Sequence, residues 1–113
     1  MELSKEIQEK IEELRILESN SQNLLMQKQN SQIELNEINN ALKEVRASSG
    51  DIYKVSANIM LKANKDQVMK DLEEQKKILE LKISSVEKQE SIIDKKSDEL
   101  KKEVNAAISK KSK

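Results

Sequence analysis

The sequence contains no cysteine, histidine, proline, tryptophan or phenylalanine; Tyr53 is its single aromatic residue and Gly50 its single glycine. Each absence removes a class of explanation. Without cysteine there is no disulfide framework, which fits the reducing cytoplasm. Without cysteine and histidine, a metal site would need carboxylates alone, and no cluster of them stands out in the sequence. The usual catalytic bases and nucleophiles are mostly missing as well, so no enzyme and no cofactor is expected. A compact globular core normally buries large aromatic rings; a core here must be built from Leu, Ile, Val and Met. With no proline and one glycine, almost nothing breaks a helix. No apolar run approaches the roughly 20 residues that cross a membrane, and no charged-then-apolar signal segment opens the chain. Neither sign of charge dominates: 21 basic residues balance 21 acidic ones, and no run of bases forms a phosphate-binding face. Nucleic acid and membrane are therefore not expected partners. The C-terminal Lys110, Lys111 and Lys113 read as a solvated tail.

What remains is a chain of 113 residues, 37% charged and 35% hydrophobic. High charge is also a mark of disorder, but here the apolar residues are periodic. From residue 3 to 47, Leu3, Ile7, Leu14, Leu17, Leu24, Leu35, Ile38, Leu42 and Val45 occupy the a and d positions of a heptad. Ile11 and Leu25 widen the stripe at the neighbouring e position, and Lys10, Ser21, Lys28 and Ser31 interrupt it. Spacing sustained over about six heptads is the pattern of a coiled coil. Ser48-Ser49-Gly50-Asp51 then ends the helix, with Gly50 expected as a left-handed stop.

A second helix is expected over residues 65–109. Leu72, Leu79, Val86, Ile93, Leu100 and Ala107 form an unbroken d row, while the a row mixes Met69, Ile83 and Val104 with Lys76, Glu90 and Ser97. Glu73, Glu80, Glu87 and Asp94 flank this seam at position e and help to choose its partner. Asn64, three residues before Gln67, reads as a capping-box variant, and Asp66 suits the positive helix start.

Between the helices the pattern changes. Ile52-Tyr53-Lys54-Val55 and Ile59-Met60-Leu61-Lys62 are short runs, partly β-branched or aromatic, separated by Ser56-Ala57-Asn58. They predict a β-hairpin over residues 52–62, with Asn58 as the residue best suited to a left-handed turn. Two helices of about 45 residues, each roughly 65–70 Å long at 1.5 Å per residue, joined by a short connection, favour an antiparallel pair. Matching their ends pairs Leu42 with Leu72, Leu35 with Leu79, Leu14 with Leu100 and Ile7 with Ala107, within about one turn. Glu90 then faces Leu24 with Lys28 a turn away; either a Lys28–Glu90 pair sets the register or both long side chains bend out to water. The fold class is thus all-α dominated: one domain over residues 1–113, a long antiparallel two-helix coiled coil with a connecting hairpin.

The hairpin also speaks of partners. Two strands alone are marginal in water, their open edges invite other strands, and this chain offers no third. Hairpins of several subunits joining in a shared sheet or barrel resolve the difficulty. At the far end, Leu3, Ile7, Ile11 and Leu14 meet Leu100, Val104, Ala107 and Ile108. Two helices cannot cover stripes that include e positions, so apolar surface should remain at this tip and suit loose binding of many partners. The same residues read equally well as simply closing the seam.

The order helix, hairpin, helix resembles the beta-type subunits of prefoldin, with an archaeal leaning in its Asn, Lys and Ile content. The resemblance rests on Leu24-Leu25-Met26-Gln27-Lys28-Gln29, Ile52-Tyr53-Lys54-Val55, Asp71-Leu72-Glu73-Glu74-Gln75-Lys76, Leu79-Glu80-Leu81-Lys82-Ile83 and Val86-Glu87-Lys88-Gln89-Glu90. It departs from the family at Ala57, where a glycine commonly precedes the asparagine of the turn. The resemblance implies a cytoplasmic hexamer of two alpha-type and four beta-type subunits, an ATP-independent holdase. Its hairpins would build a β-barrel, and its coiled-coil tips would hold unfolded client proteins for delivery to a group II chaperonin. Assembly would fall to Ile52, Tyr53, Val55, Ile59, Met60 and Leu61, and client contact to Leu3, Ile7, Ile11, Leu100, Val104 and Ile108. A coiled-coil adaptor or tether without client-holding activity is the alternative reading of the same pattern.

Overall fold

The computed structural model describes residues 4–111, so Leu3 and Lys113 lie outside the described residues. Four elements follow one another: α1 (Lys5–Ala47), β1 (Ile52–Ser56), β2 (Ile59–Ala63) and α2 (Lys65–Lys111). By compactness the chain falls into two units, residues 1–28 with 85–113 and residues 29–84.

In the first unit, Ser4 opens α1. Its Oγ accepts a hydrogen bond from the Ile7 N–H at 3.2 Å, satisfying one of the orphan donors of the first turn. This cap was not anticipated, although Ser three residues ahead of the first seam isoleucine is its signature. The apolar seam is laid down as the heptads require: Ile7, Leu24, Val86 and Val104 are buried, and Leu14, Leu17, Ile93 and Leu100 are half-buried. The two helix segments run antiparallel, because Lys10 pairs with Glu103 at 3.2 Å while Lys28, further along α1, pairs with the earlier Glu90 at 2.9 Å. The polar interruptions remain in the seam. Ser97 is buried, and Ser21 and Lys28 are half-buried.

In the second unit, Leu42 and Leu79 are buried and Leu35, Ile38, Val45, Leu72 and Ile83 half-buried. Ser31 is also buried, at 2% exposure, because a side chain this small at a d position is covered by its larger neighbours. The helices are again antiparallel: Arg46 reaches Glu73 at 3.4 Å and Lys65 reaches back to the end of α1.

Gly50 does not provide the left-handed stop expected of it; its φ is not positive. Instead α1 ends by tightening, the Ser48 N–H bonding to the Val45 carbonyl at 3.2 Å. The Lys65 ammonium then donates to the Ser48 carbonyl at 2.8 Å and to the Arg46 carbonyl at 3.5 Å. A cation on these carbonyls supplies partners that the helix end lacks and suits its negative dipole end. This stop is tertiary, made by a residue 17 positions on. At the start of α2 the expected cap is present, with the Gln67 N–H on Asn64 Oδ1 at 3.2 Å. The reciprocal half of the box is not made: the Gln67 amide bonds to Asp71 at 3.0 Å instead.

The hairpin pairs β1 and β2 antiparallel, in the register Ile52↔Ala63, Tyr53↔Lys62, Lys54↔Leu61, Val55↔Met60 and Ser56↔Ile59. Only Ala57 and Asn58 remain for the loop, and both have positive φ, 48° and 66°. This is the combination that a two-residue turn needs to match the twist of its strands. Asn58 was anticipated there; Ala57 was not.

Candidate assembly and client-binding surfaces

Cross-strand partners share a face of a hairpin, so the register sorts the side chains. Ile52, Lys54 and Ser56 lie with Ile59, Leu61 and Ala63 on one face; Tyr53 and Val55 lie with Met60 and Lys62 on the other. Apolar residues are present on both. All of the large ones except the half-buried Ile52 are exposed, Val55 at 67% and Met60 at 68%. A sheet edged by solvent commonly keeps one face apolar and one polar; this one is apolar on both. The six residues expected to carry assembly are therefore gathered on one small hairpin with no third strand in its own sheet.

At the foot of the hairpin, an open groove is lined by Ala41 and Val45 of α1, Ile52, Tyr53 and Lys54 of β1, and Val68, Asp71, Leu72 and Gln75 of α2. Sequence reading placed Val45 and Leu72 in the seam but did not bring them to the hairpin. The missed signal is Val68, an apolar residue just before the seam position Met69.

The unit that carries the termini places the residues expected to meet clients in two settings. Ile7 and Val104, at a positions, are buried in the seam, and Leu100 is half-buried. Ile11 and Ile108 stand beside them at e positions and are 39% and 40% exposed. Ile11 and Ile108 thus present apolar surface, and Ile7, Leu100 and Val104 form the layer beneath. Leu3 lies outside the described residues.

Two lysines stabilise this unit electrostatically. Lys28 and Glu90 meet inside the seam, with side chains 33% and 18% exposed. The hydrogen bond that Lys28 donates to Glu90, together with the charges of Glu90 and Glu87, raises the Lys28 pKa above the usual lysine value, against the opposing pull of burial. Lys10 is raised in the same sense, first by its hydrogen bond to Glu103 and then by the charges of Glu103 and Glu6. Among the described residues there is no cluster of acidic groups arranged to hold a metal ion, and no helix long and apolar enough to cross a membrane.

The chain matches the prefoldin subunit family over residues 8–111. It belongs to that family. Among its relatives, the prefoldin subunit beta of Saccharolobus islandicus (strain L.S.2.15 / Lassen #1) is 34% identical over 110 residues, spanning 96% of this chain and 87% of the relative. That of Pyrobaculum islandicum is 31% identical over 106 residues, spanning 92% and 85%. The crystal structure of the prefoldin beta subunit from Thermococcus strain KS-1 superposes with a TM-score of 0.86 at 27% identity, covering 94% of this chain and 95% of the other. Prefoldins are a chaperone family and not an enzymatic one. The resemblance to prefoldin drawn from the sequence and the helix–hairpin–helix order therefore agree with family and fold respectively.

Proposed function

We propose that this prefoldin subunit is part of an ATP-independent holdase. Its hairpin joins those of neighbouring subunits in a shared β-barrel, in a hexamer of two alpha-type and four beta-type chains. The helix ends that carry the termini hold non-native polypeptide, which passes to a group II chaperonin in the cytoplasm. The observation that carries this reading is the hairpin: two strands, open along both outer edges and apolar on both faces. Such a sheet is marginal by itself and becomes stable when other strands satisfy its edges and other layers cover its faces. Client holding is supported by Ile11 and Ile108. They offer exposed apolar surface above a closed seam, a setting suited to weak contact with many sequences and to release without nucleotide.

Native mass and subunit content of the complex purified from its own cells test the assembly. Six chains, with this one in excess over a larger helical partner, are expected. A monomer, a simple dimer or a stable pair with one unrelated protein would replace the holdase reading with that of a coiled-coil tether. For the client surface, Ile11→Ser with Ile108→Ser should leave the complex intact and reduce its suppression of aggregation of a denatured protein. Unchanged suppression would move the client site away from these two residues.

A further inference from the structure

A second groove lies in the unit that carries the termini, where two small residues occupy the seam. Ser21 of α1 and Ser97 of α2 hold a positions, and a groove of about 440 Å³ runs beside them. Its rim includes Glu18, Asp94, Asp98 and Lys101. Three carboxylates thus stand against one ammonium, and among the described residues none of the four makes an ion pair. Ser97 is 9% exposed and lines the groove, and its hydroxyl has no hydrogen-bond partner among the described residues. Buried hydroxyls are normally paired, so this one has capacity for a polar group that enters the groove. Among the described residues no carboxylates cluster as a metal ion requires, which points to a broader cation. The groove also shares a side with the residues proposed to meet clients. Ile11 and Glu18 are e positions one heptad apart on α1, and Asp94, Lys101 and Ile108 are successive e positions on α2. Glu18, Asp94 and Lys101 line one groove, so both e rows border the same side of the seam. Seven helical residues cover roughly 10 Å, which sets the groove about that far inward from Ile11 and Ile108.

Resting on the client-holding reading above, we propose that this groove takes the lysine or arginine side chain of a non-native polypeptide whose apolar side chains lie on Ile11 and Ile108. An ammonium or guanidinium brings the charge that the excess of carboxylates favours. Its several N–H groups can donate to the carboxylates and to the Ser97 hydroxyl together. An extended chain covers roughly 10 Å in about three residues. The preferred client segment therefore carries a basic residue about three positions from an apolar one. Leu25, the next e position on α1 and 43% exposed, offers a further apolar contact beyond the groove. Because the charged rim is exposed, each ionic contact is weak and screened by salt, which keeps release easy.

Fluorescence anisotropy on the assembled complex tests this with three labelled, unstructured peptides. They share one apolar sequence and differ at a single position three residues from a leucine, which is arginine, glutamine or glutamate. The arginine peptide is expected to bind about three- to tenfold more tightly than the glutamine peptide at low salt, and the glutamate peptide no more tightly than the glutamine one. The preference should vanish at about 0.5 M salt. Glu18→Gln with Asp94→Asn and Asp98→Asn should abolish it and leave the affinity of the glutamine peptide unchanged. An equal loss of charge outside the groove, Glu34→Gln with Glu37→Gln and Glu74→Gln, should preserve it. No preference in the parent complex, or a preference that both triple variants lower equally, overturns the groove as a basic-residue site while client holding stands. Failure of all three peptides to bind the parent complex removes the client-holding reading itself.

Discussion

Ala57→Gly should stabilise this protein, although it deletes a side chain and adds freedom to the unfolded chain. Ala57 sits at φ 48° in the hairpin loop. For an L-residue with a Cβ, left-handed backbone costs about 1–2 kcal/mol, because Cβ crowds the following carbonyl. Glycine avoids that cost but gives up roughly 0.5–1 kcal/mol in extra chain entropy. The difference is a gain of about 0.5–1 kcal/mol per hairpin. If four copies lie far enough apart to act independently, the proposed complex gains about 2–4 kcal/mol. Thermal and urea melts of the assembled complex at constant protein concentration measure the gain, since subunit association makes the midpoint concentration-dependent. Ala57→Val is the counter-test: a β-branched residue fits left-handed backbone worse than alanine, so its midpoint should fall below that of the parent. A glycine variant equal to or weaker than the parent would refute the left-handed assignment at Ala57, and with it the two-residue turn.

Leu42→Ala should destabilise by about 2–4 kcal/mol, since Leu42 is 2% exposed in the seam; urea unfolding reads this, and a loss within experimental error would place Leu42 outside the core. Lys28→Glu should lower the thermal midpoint, and adding Glu90→Lys should restore it, because the swapped pair keeps the contact inside the seam; additive losses in the double variant would deny the pairing. Lys28 and Lys10 both have pKa values raised above the ordinary lysine value of 10.5. Their stabilisation is therefore fully present below that value and is lost as pH climbs through the raised folded-state values. An alkaline melt series should show that loss, and Lys28→Met should blunt it. Lys65→Met should cost about 0.5 kcal/mol by uncapping α1, seen as faster amide exchange over the last turn of the helix with little change in the hairpin.

The seam was legible because a heptad is a local rule: residues three and four apart share a face whatever lies around them. The polar interruptions follow the same rule: Ser31 is buried in the seam, and Lys28, expected one turn from the residue facing Glu90, reaches Glu90 across it. It also explains the split among the client-contact candidates, since a positions such as Ile7 and Val104 face the partner helix and e positions such as Ile11 and Ile108 face its rim. Glycine and alanine at the turns were harder to read. Gly50 can adopt left-handed backbone but nothing compels it to, and the Lys65 cap made that conformation unnecessary. Ala57 has no preference for left-handed backbone; the strand register imposes it, by leaving two residues to reverse the chain. The groove at the foot of the hairpin required knowing where the hairpin folds back, which no spacing along the chain reveals.

The hairpin has one further consequence, for a subunit that has not yet found its neighbours. Five exposed apolar side chains on ten strand residues, bounded by open edges, form the kind of short β segment that templates aggregation. Lys54 and Lys62 interrupt these strands and act as charged gatekeepers, but they are few. A newly made copy in excess of its partners is thus itself a hazardous chain until it is enclosed. Cells that carry this protein have reason to match its synthesis to that of its partners and to clear the surplus, so overproducing it alone should yield inclusion bodies or rapid turnover where balanced co-production yields soluble complex.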